Sequence, residues 1–349
     1  MIKFLKKVEK KLKLILLYFV RIVFVKNNFK VSFFTKLKAN LCGGYLADQY
    51  VLYDFKHRDK KEYLSEFDWY RSRYINEPFE YIMNNKIACT EVLKQYAYTP
   101  EIYFIKNKGV LAREGQDVCQ YSDVLEMLKL KENLFMKPFG EGKGNGVYQL
   151  ACIDNKFYVD RKESSQEVVE GLLKKNDNWM LCKTIEQADY LNKIYDKTKN
   201  TMRVITFRDI ETHEWKIFFA VQRIGTKETI PVDNGSRGGL VANINLETGE
   251  LSEARCLHNL EVHEVHPDSK NPIKGVKVPN WDKIKEEILE ITRNFPYMHF
   301  IAWDVLMTDD DRLCIIEANN SSGVNIIQLW GGQRQGPLGD FYRYHGVIR

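Results

Sequence analysis

The residues whose types and spacing could do chemistry lie near the C-terminus, in His299–Gly323, HFIAWDVLMTDDDRLCIIEANNSSG. Two apolar runs flank Asp309-Asp310-Asp311 and read as a β-hairpin closed by a polar turn. With a two- or four-residue loop centred between Asp310 and Asp311, Asp304 falls directly opposite Glu317. Side chains placed so share a face, with Cβ atoms about 5 Å apart. Asn319 is two residues further on and joins that face if the strand continues. Facing like charges destabilise a hairpin, and the neighbours Ile301, Val305, Ile315 and Ile316 sharpen the need for a partner. A divalent cation meets it, since two carboxylates and an amide oxygen are hard ligands of the kind Mg²⁺ takes. Acids solvated or paired with basic residues are the alternative on spacing alone.

A second constellation reads LFMKPFGEGKGNGVY over residues 134–148. Lys137 ends a short apolar strand, and Gly140, Gly142, Gly144 and Gly146 alternate behind it. Such a loop lets backbone N–H groups fold around phosphate oxygens, with Lys137 or Lys143 supplying charge. It matches neither GxxxxGK[ST] nor GxGxxG. It is either a plain hairpin loop or a lid that closes over a nucleotide and excludes water. Other clusters carry less. In EVHEVH, alternation puts Glu261 and His263 on one strand face and Glu264 and His266 on the other, so surface residues are expected there rather than a metal site. The run from Asp233-Asn234 to Gly238-Gly239 reads as a turn-rich connection. Seven cysteines without a CxxC pair exclude a disulfide scaffold or zinc ribbon and read as reduced, structural thiols.

The elements that position these residues follow from pattern. A chain of 349 residues suggests about two domains. At 44% hydrophobic and 28% charged it can build sizeable cores, which excludes global disorder. No run of eighteen apolar residues is present, which argues against an ordinary transmembrane helix. Residues 1–40 hold ten Lys and one Arg against one Glu, so the remainder has 41 basic against 46 acidic residues. A mildly acidic body is a poor nucleic-acid binder, and no nucleic-acid partner is expected. In the basic arm Phe4, Val8, Leu12, Ile15, Phe19 and Ile22 recur three and four apart, between Lys3, Lys6, Lys7, Lys10 and Lys13. That is an amphipathic helix, for an anionic membrane surface or for docking on the protein's own body. A signal peptide fits less well, because Leu14–Val20 lacks an A-x-A site and runs into Arg21.

Residues 26–78 read as mostly helical, and Phe79–Tyr96 as one helix ending before Thr99-Pro100. Glu101–Ile105 reads as a strand and Asp123–Lys131 as a helix. From Leu134 short β-runs dominate, with helical patches at Gln166–Lys175 and Trp281–Asn294. The expected class is α+β, largely antiparallel. The expected organisation is a basic arm at 1–40, a helical region with a pre-catalytic subdomain at 41–132, and a catalytic domain at 133–349. The last divides into a lid at 133–185 and a metal and substrate subdomain at 186–335.

Lys137-Pro138 ahead of the glycine loop, with Asp304…Glu317-x-Asn319 far downstream, resembles the ATP-grasp superfamily. The thirteen- and two-residue separations of Asp, Glu and Asn are those of the D-alanine–D-alanine ligases, and EANNSSG is similar to their closing motif. More narrowly, Asn200-Thr201-x-Arg203, Asp233-Asn234 with Gly238-Gly239, His266-Pro267, Trp303-Asp304 and Gln328 resemble the sugar-transfer-associated ATP-grasp group found with bacterial surface-polysaccharide genes. The resemblance covers about residues 80–335 and implies two α+β subdomains clasping ATP.

It also implies roles. ATP and two Mg²⁺ ions are the cofactors, with Asp304, Glu317 and Asn319 as metal ligands. Lys86 and Lys137 bind phosphates, and the glycines with Lys143 form the lid. Leu181, Lys183, Thr184 and Glu186 sit at the adenine hinge. Arg203 stabilises developing charge, while Arg223, Asp233, Asn234, Gly238 and Gly239 border the acceptor. Trp303 stands where the D-alanine ligases carry an arginine facing the reacting carbonyl, so Arg203 or Arg223 is the candidate replacement. The implied reaction is carboxylate–amine ligation through an acyl phosphate, on a sugar acid or glycan precursor with an amine acceptor. The chain would then be cytoplasmic and peripheral to the inner membrane face. The alternatives are a phosphotransferase using the same ATP site and a membrane-associated binding protein without chemistry.

Overall fold

The N-terminal third is helical, in short pieces. A computed structural model describes residues 2–140 and 146–349, without the side chains of residues 2, 3, 6 and 7. Helix α1 (Ile2–Tyr18) runs into a π-type turn at Phe19–Val23, and α2 (Phe33–Leu41), α3 (Ala47–Leu52) and α4 (Glu66–Ser72) follow. Much of 26–78 is therefore irregular rather than helical. Ser65 and Asp68 form a reciprocal cap on α4, each accepting the other's amide at 3.2 and 2.9 Å. The single helix expected over Phe79–Tyr96 is two, α5 (Glu80–Asn84) and α6 (Lys86–Leu93). Asn85 breaks it with extended backbone, and its Oδ1 accepts the amides of Ile87 and Ala88, both at 3.1 Å. Asparagine competes with the helix interior through such bonds and favours caps. Lys86 thereby becomes the first residue of α6.

Among the described residues, fourteen strands form two antiparallel sheets of seven. The first contains β1 (Ile102–Asn107), β2 (Val110–Ala112), β3 (Asn133–Pro138), β4 (Tyr148–Ile153), β5 (Lys156–Val159), β6 (Lys162–Ser164) and β7 (Trp179–Lys183), in the order β2-β1-β7-β3-β4-β5-β6. Helices α7 (Tyr121–Lys131) and α8 (Gln166–Lys175) cover one face, over a core that includes Leu128, Leu134, Met136, Val169, Leu173 and Leu181. This sheet takes in β1 and β2, so its strands begin well ahead of residue 133.

After α9 (Asp189–Ile194), the second sheet holds β8 (Met202–Arg208), β9 (Trp215–Ile224), β10 (Leu240–Ile244), β11 (Leu251–Cys256), β12 (Val262–His263), β13 (Phe300–Met307) and β14 (Leu313–Asn319). Its order is β12-β11-β10-β9-β8-β13-β14. Alternation along β13 divides two cores. Ile301, Trp303, Val305 and Met307 face α10 (Trp281–Arg293), while Phe300 and Ala302 face α11 (Val324–Gln328) and α12 (Pro337–Tyr344).

The β13–β14 turn departs from expectation. Asp309–Asp311 form a three-residue loop, with Asp311 at φ 59° and the Thr308 amide bonded to the Arg312 carbonyl at 2.9 Å. Met307 then pairs with Leu313 and Val305 with Ile315. Continued without a break, that register sets Asp304 opposite Ile316 and turns Glu317 to the other face. A bulge at Ile316 adds one residue to β14, and Asp304 pairs with Glu317 after all.

The C-terminus packs back on this sheet. His345 lies 4.4 Å from the Phe341 ring and 5.1 Å from His299. Burial pushes His345 down to about 4, and burial also lowers His299. The unfolded chain binds more protons than the folded one between about pH 4 and 6.5, so stability rises with pH across that window. His345→Gln should flatten the rise in urea-unfolding midpoints measured over those pH values.

Candidate active site

Three neighbouring strands bring three charges into one row. Arg203 on β8 is the cross-strand partner of Asp304 on β13, which is the partner of Glu317 on β14. Arg203 Nε lies 2.5 Å from Asp304 Oδ1, and its Nη2 lies 2.9 Å from Oδ2. The fork is bidentate, the geometry in which a guanidinium binds a carboxylate most strongly. Arg223 on β9 adds Nη1 at 3.3 Å from the same Oδ2. Its Nη2 donates to Asp233 Oδ1 at 2.8 Å, and Asp233 Oδ2 accepts the amide and hydroxyl of Thr201, both at 2.6 Å. Burial pushes the Asp304 carboxyl up, but Arg203 and Arg223 outweigh it and hold it well below the usual carboxylate range. Burial likewise pulls Arg223 down, while Asp233, Asp304 and Glu317 more than offset it and keep it charged.

One lysine reaches the row from another element. Lys86 Nζ is 3.5 Å from Glu317 Oε2. Its amide donates to the Phe139 carbonyl at 3.2 Å, which ties the start of α6 to the end of β3, where the glycine loop begins. Lys137 on β3 pairs with Met180 on β7, so it shares a face with Met180, Cys182 and Phe135. Burial pushes the Cys314 thiol on β14 up to about 12, and the Lys137 charge pulls it the other way. Three cationic side chains (Lys86, Arg203, Arg223) thus meet three carboxylates (Asp233, Asp304, Glu317).

The description "Sugar-transfer associated ATP-grasp" matches residues 67–336. The chain belongs to that family. Its fold is the α+β ATP-grasp fold, and ATP-grasp enzymes use ATP and Mg²⁺. No curated protein matches the sequence. Among solved structures, N5-carboxyaminoimidazole synthetase from Staphylococcus aureus complexed with ADP is 8% identical, over 69% of this chain and 44% of that one, with TM-score 0.37. VanG D-Ala:D-Ser ligase from Enterococcus faecalis is 11% identical, over 70% and 54%, at 0.38. D-alanyl-alanine synthetase A from Vibrio cholerae O1 biovar eltor is 10% identical, over 76% and 60%, at 0.40. The chain spans less than half of the first of these and under two thirds of the others.

The donor set fits the hard cation of ATP-grasp enzymes. Asp304 already accepts two hydrogen bonds from Arg203 and lies 3.3 Å from Arg223 Nη1, so the arginines occupy much of its lone-pair capacity. Glu317 is the freer carboxylate. Its side chain is 27% exposed, and its Oε1 accepts a long 3.4 Å bond from Asn319 Nδ2. Among the described residues no three His, Cys, Asp or Glu cluster as a metal site.

Other expected residues fall in varied places. Leu181 points into the lid core, so only its backbone is available to an adenine. Lys183 is exposed at the end of β7, and the Thr184 hydroxyl donates to Asn133 Oδ1 at 3.1 Å. Glu186 is ion-paired with Lys199 at 2.7 Å and 59% exposed, away from the charged row. Gly140 and Gly146 frame the loop, Gly146 at φ +69°, while Gly142, Lys143 and Gly144 lie outside the described residues. Asp233 and Asn234, expected at the acceptor, are buried. Asp233 positions Arg223, and Asn234 Oδ1 caps the turn by accepting the Ser236 amide at 2.9 Å. Gly238 takes φ +101°, and a Cβ on Gly239 would meet the Asp233 carbonyl at 2.7 Å, so both glycines close that turn.

Two expectations are corrected. Trp303 faces away from the site, fully buried, and donates from Nε1 to Thr206 Oγ1 at 3.0 Å. Ala302 is the preceding residue that shares the Asp304 face. His266 is not a surface residue. It is buried, donates from Nε2 to the Gly225 carbonyl at 2.8 Å, and accepts the amides of Asp268 and Ser269 on Nδ1. Ser322, which accepts from Arg203 Nη1 at 3.3 Å, escaped notice, as did the faces of Met180, Cys182, Leu306 and Cys314. Period-two counting from Lys137 across the β3–β7 pair would have found Met180 and Cys182.

Proposed function

We propose that the protein is an ATP-dependent carboxylate–amine ligase acting on a sugar acid or glycan precursor. The observation that supports this most is the Arg203–Asp304–Glu317 row with Lys86 against its open end. In this reading the adenine lies between the Met180 and Cys182 face of β7 and the apolar side chains of Leu306 and Cys314. Residues 133–185 act as the lid, and residues 186–335 supply the metal and substrate groups. Lys86 and Lys137 hold phosphate oxygens. Glu317, Asn319 and Asp304 would hold up to two Mg²⁺ ions, which would supply charge neutralisation to the phosphates. A substrate carboxylate oxygen attacks the γ-phosphorus, and ADP leaves. An amine nitrogen then attacks the acyl carbon, and inorganic phosphate leaves with the C–O bond electrons. The protein's share is positioning and charge stabilisation, with Arg203 and Arg223 held rigid by Asp304 and Asp233 for the oxyanion that forms.

Uronic acids and amino acids offered with ATP and Mg²⁺ should yield ADP, inorganic phosphate and an amide, read by mass spectrometry. A phosphorylated product without inorganic phosphate would replace the ligase by a phosphotransferase. Absence of ATP binding would leave a non-catalytic binding protein.

A further inference from the structure

Helix α1 docks on the body by a side that leaves most of its apolar stripe turned outward. Lys10 Nζ meets Glu77 Oε2 at 2.8 Å and lies 4.1 Å from the Tyr74 ring centre. Tyr18 donates its hydroxyl to the Asn40 carbonyl at 2.6 Å and packs edge-on against Phe67. Ile22, in the turn that follows, is fully buried. These positions, with half-buried Leu14, recur at spacings of four and form the docked stripe. Phe4, Val8, Leu12, Ile15, Leu16 and Phe19 run along the other side and are 38–68% exposed. A surface helix ordinarily turns such a stripe to the core. Helix α2 adds Phe33, Phe34, Leu37 and Leu41, which are 43–79% exposed. It is fastened beside the end of α1 by the Tyr18–Asn40 bond and by Lys36 Nζ on the Val25 carbonyl at 3.3 Å. Single exposed apolar residues are ordinary, but ten on adjoining helices mark an interaction surface.

Charge identifies the partner. The first forty residues carry ten Lys and one Arg, and their one acid, Glu9, is paired with Lys13 at 2.7 Å. The rest of the chain is net acidic. Among the described residues no helix is long and apolar enough to cross a membrane, so α1 cannot span. An apolar stripe edged with lysines matches an interface of acyl chains beneath anionic headgroups.

We propose that α1 and α2 form a docking face that seats the protein on an anionic phospholipid surface. The lysines pair with headgroup phosphates, and the phenylalanines and leucines enter the acyl boundary. Helix α4 lies against α1, and its Trp69 donates from Nε1 to Ser321 Oγ at 3.2 Å.

The full-length protein, sedimented with phosphatidylcholine vesicles or with vesicles containing about one-third phosphatidylglycerol, should bind the anionic ones at least about tenfold more tightly, and less so as salt is raised. The double substitution Leu12→Glu with Leu16→Glu should lower that binding at least about tenfold and leave thermal unfolding unchanged. Equal binding to both vesicle types overturns the proposal, as does full binding by the double variant. Absence of vesicle binding with a dimer that the double variant dissolves overturns it in favour of a second copy on this face.

Discussion

Glu317→Gln is expected to lower substrate-dependent ADP release by about a thousandfold, measured with a coupled assay at saturating ATP. The exchange keeps the shape of the side chain and removes one charge from the carboxylate most open to a cation. A fixed charge that offsets developing phosphate charge through a bound metal contributes several kcal/mol, and about 4 kcal/mol corresponds to a thousandfold. Folding should barely change. The Lys86–Glu317 pair is 3.5 Å apart, and its side chains are 17% and 27% exposed, so it stabilises by at most about 1 kcal/mol. The thermal midpoint should therefore move by only a few degrees while activity collapses. Activity near the unsubstituted level would remove Glu317 from the metal set and, with it, the main support for ligase chemistry.

The pairing of Asp304 with Glu317 was legible in the sequence, but its cause was not. Two like acids thirteen positions apart around an Asp-rich turn suggest a facing pair. The loop has three residues rather than two or four, and the bulge at Ile316 restores the facing. Two opposite one-residue shifts cancel, which period-two counting alone cannot detect. The position of Arg203 beside Asp304 was out of reach for a different reason. It depends on β8 lying next to β13, a pairing across about a hundred residues that local pattern does not encode. The partner of Asp304 was therefore expected to be a cation from outside, whereas two arginines supply much of it from within.

Several phrases that carried the family resemblance prove to be framework. Asn200 Oδ1 accepts the Gly225 amide at 2.9 Å, and His266 takes the Gly225 carbonyl. Gln328 clamps Leu64 by both backbone groups, at 2.7 and 2.9 Å, and so fixes the N-terminal helical region to the second sheet. A motif records what a family needs in place, which includes buried polar bonds as well as reacting groups. The amphipathic arm shows the same gap between pattern and placement. Its periodicity was plain, but which side meets the body depends on Lys10–Glu77 and Tyr18–Phe67, contacts beyond the helix itself.

Asp304→Asn should behave unlike Glu317→Gln, because it removes the carboxylate on which Arg203 forks and which Arg223 shares with Asp233. Breaking a buried pair from one side costs about 3–5 kcal/mol, which lowers the thermal midpoint by about 10 °C. Activity should fall too, since Arg203 loses its bidentate anchor and the cation one ligand. The two causes separate on pH. A carboxyl held below its ordinary value contributes its stability in full above the unfolded value of 3.8 and loses it as pH falls through the lower, folded value. The stability gap between Asp304→Asn and the unsubstituted protein should therefore be constant above about pH 5, and shrink only in more acid solution. Adding Arg203→Gln to Asp304→Asn should recover part of the stability, because one buried charge no longer lacks a partner, and none of the activity. Recovery of turnover in that pair would mean that Arg203 serves only the fold, and that the charge facing the reacting carboxylate comes from Arg223 alone.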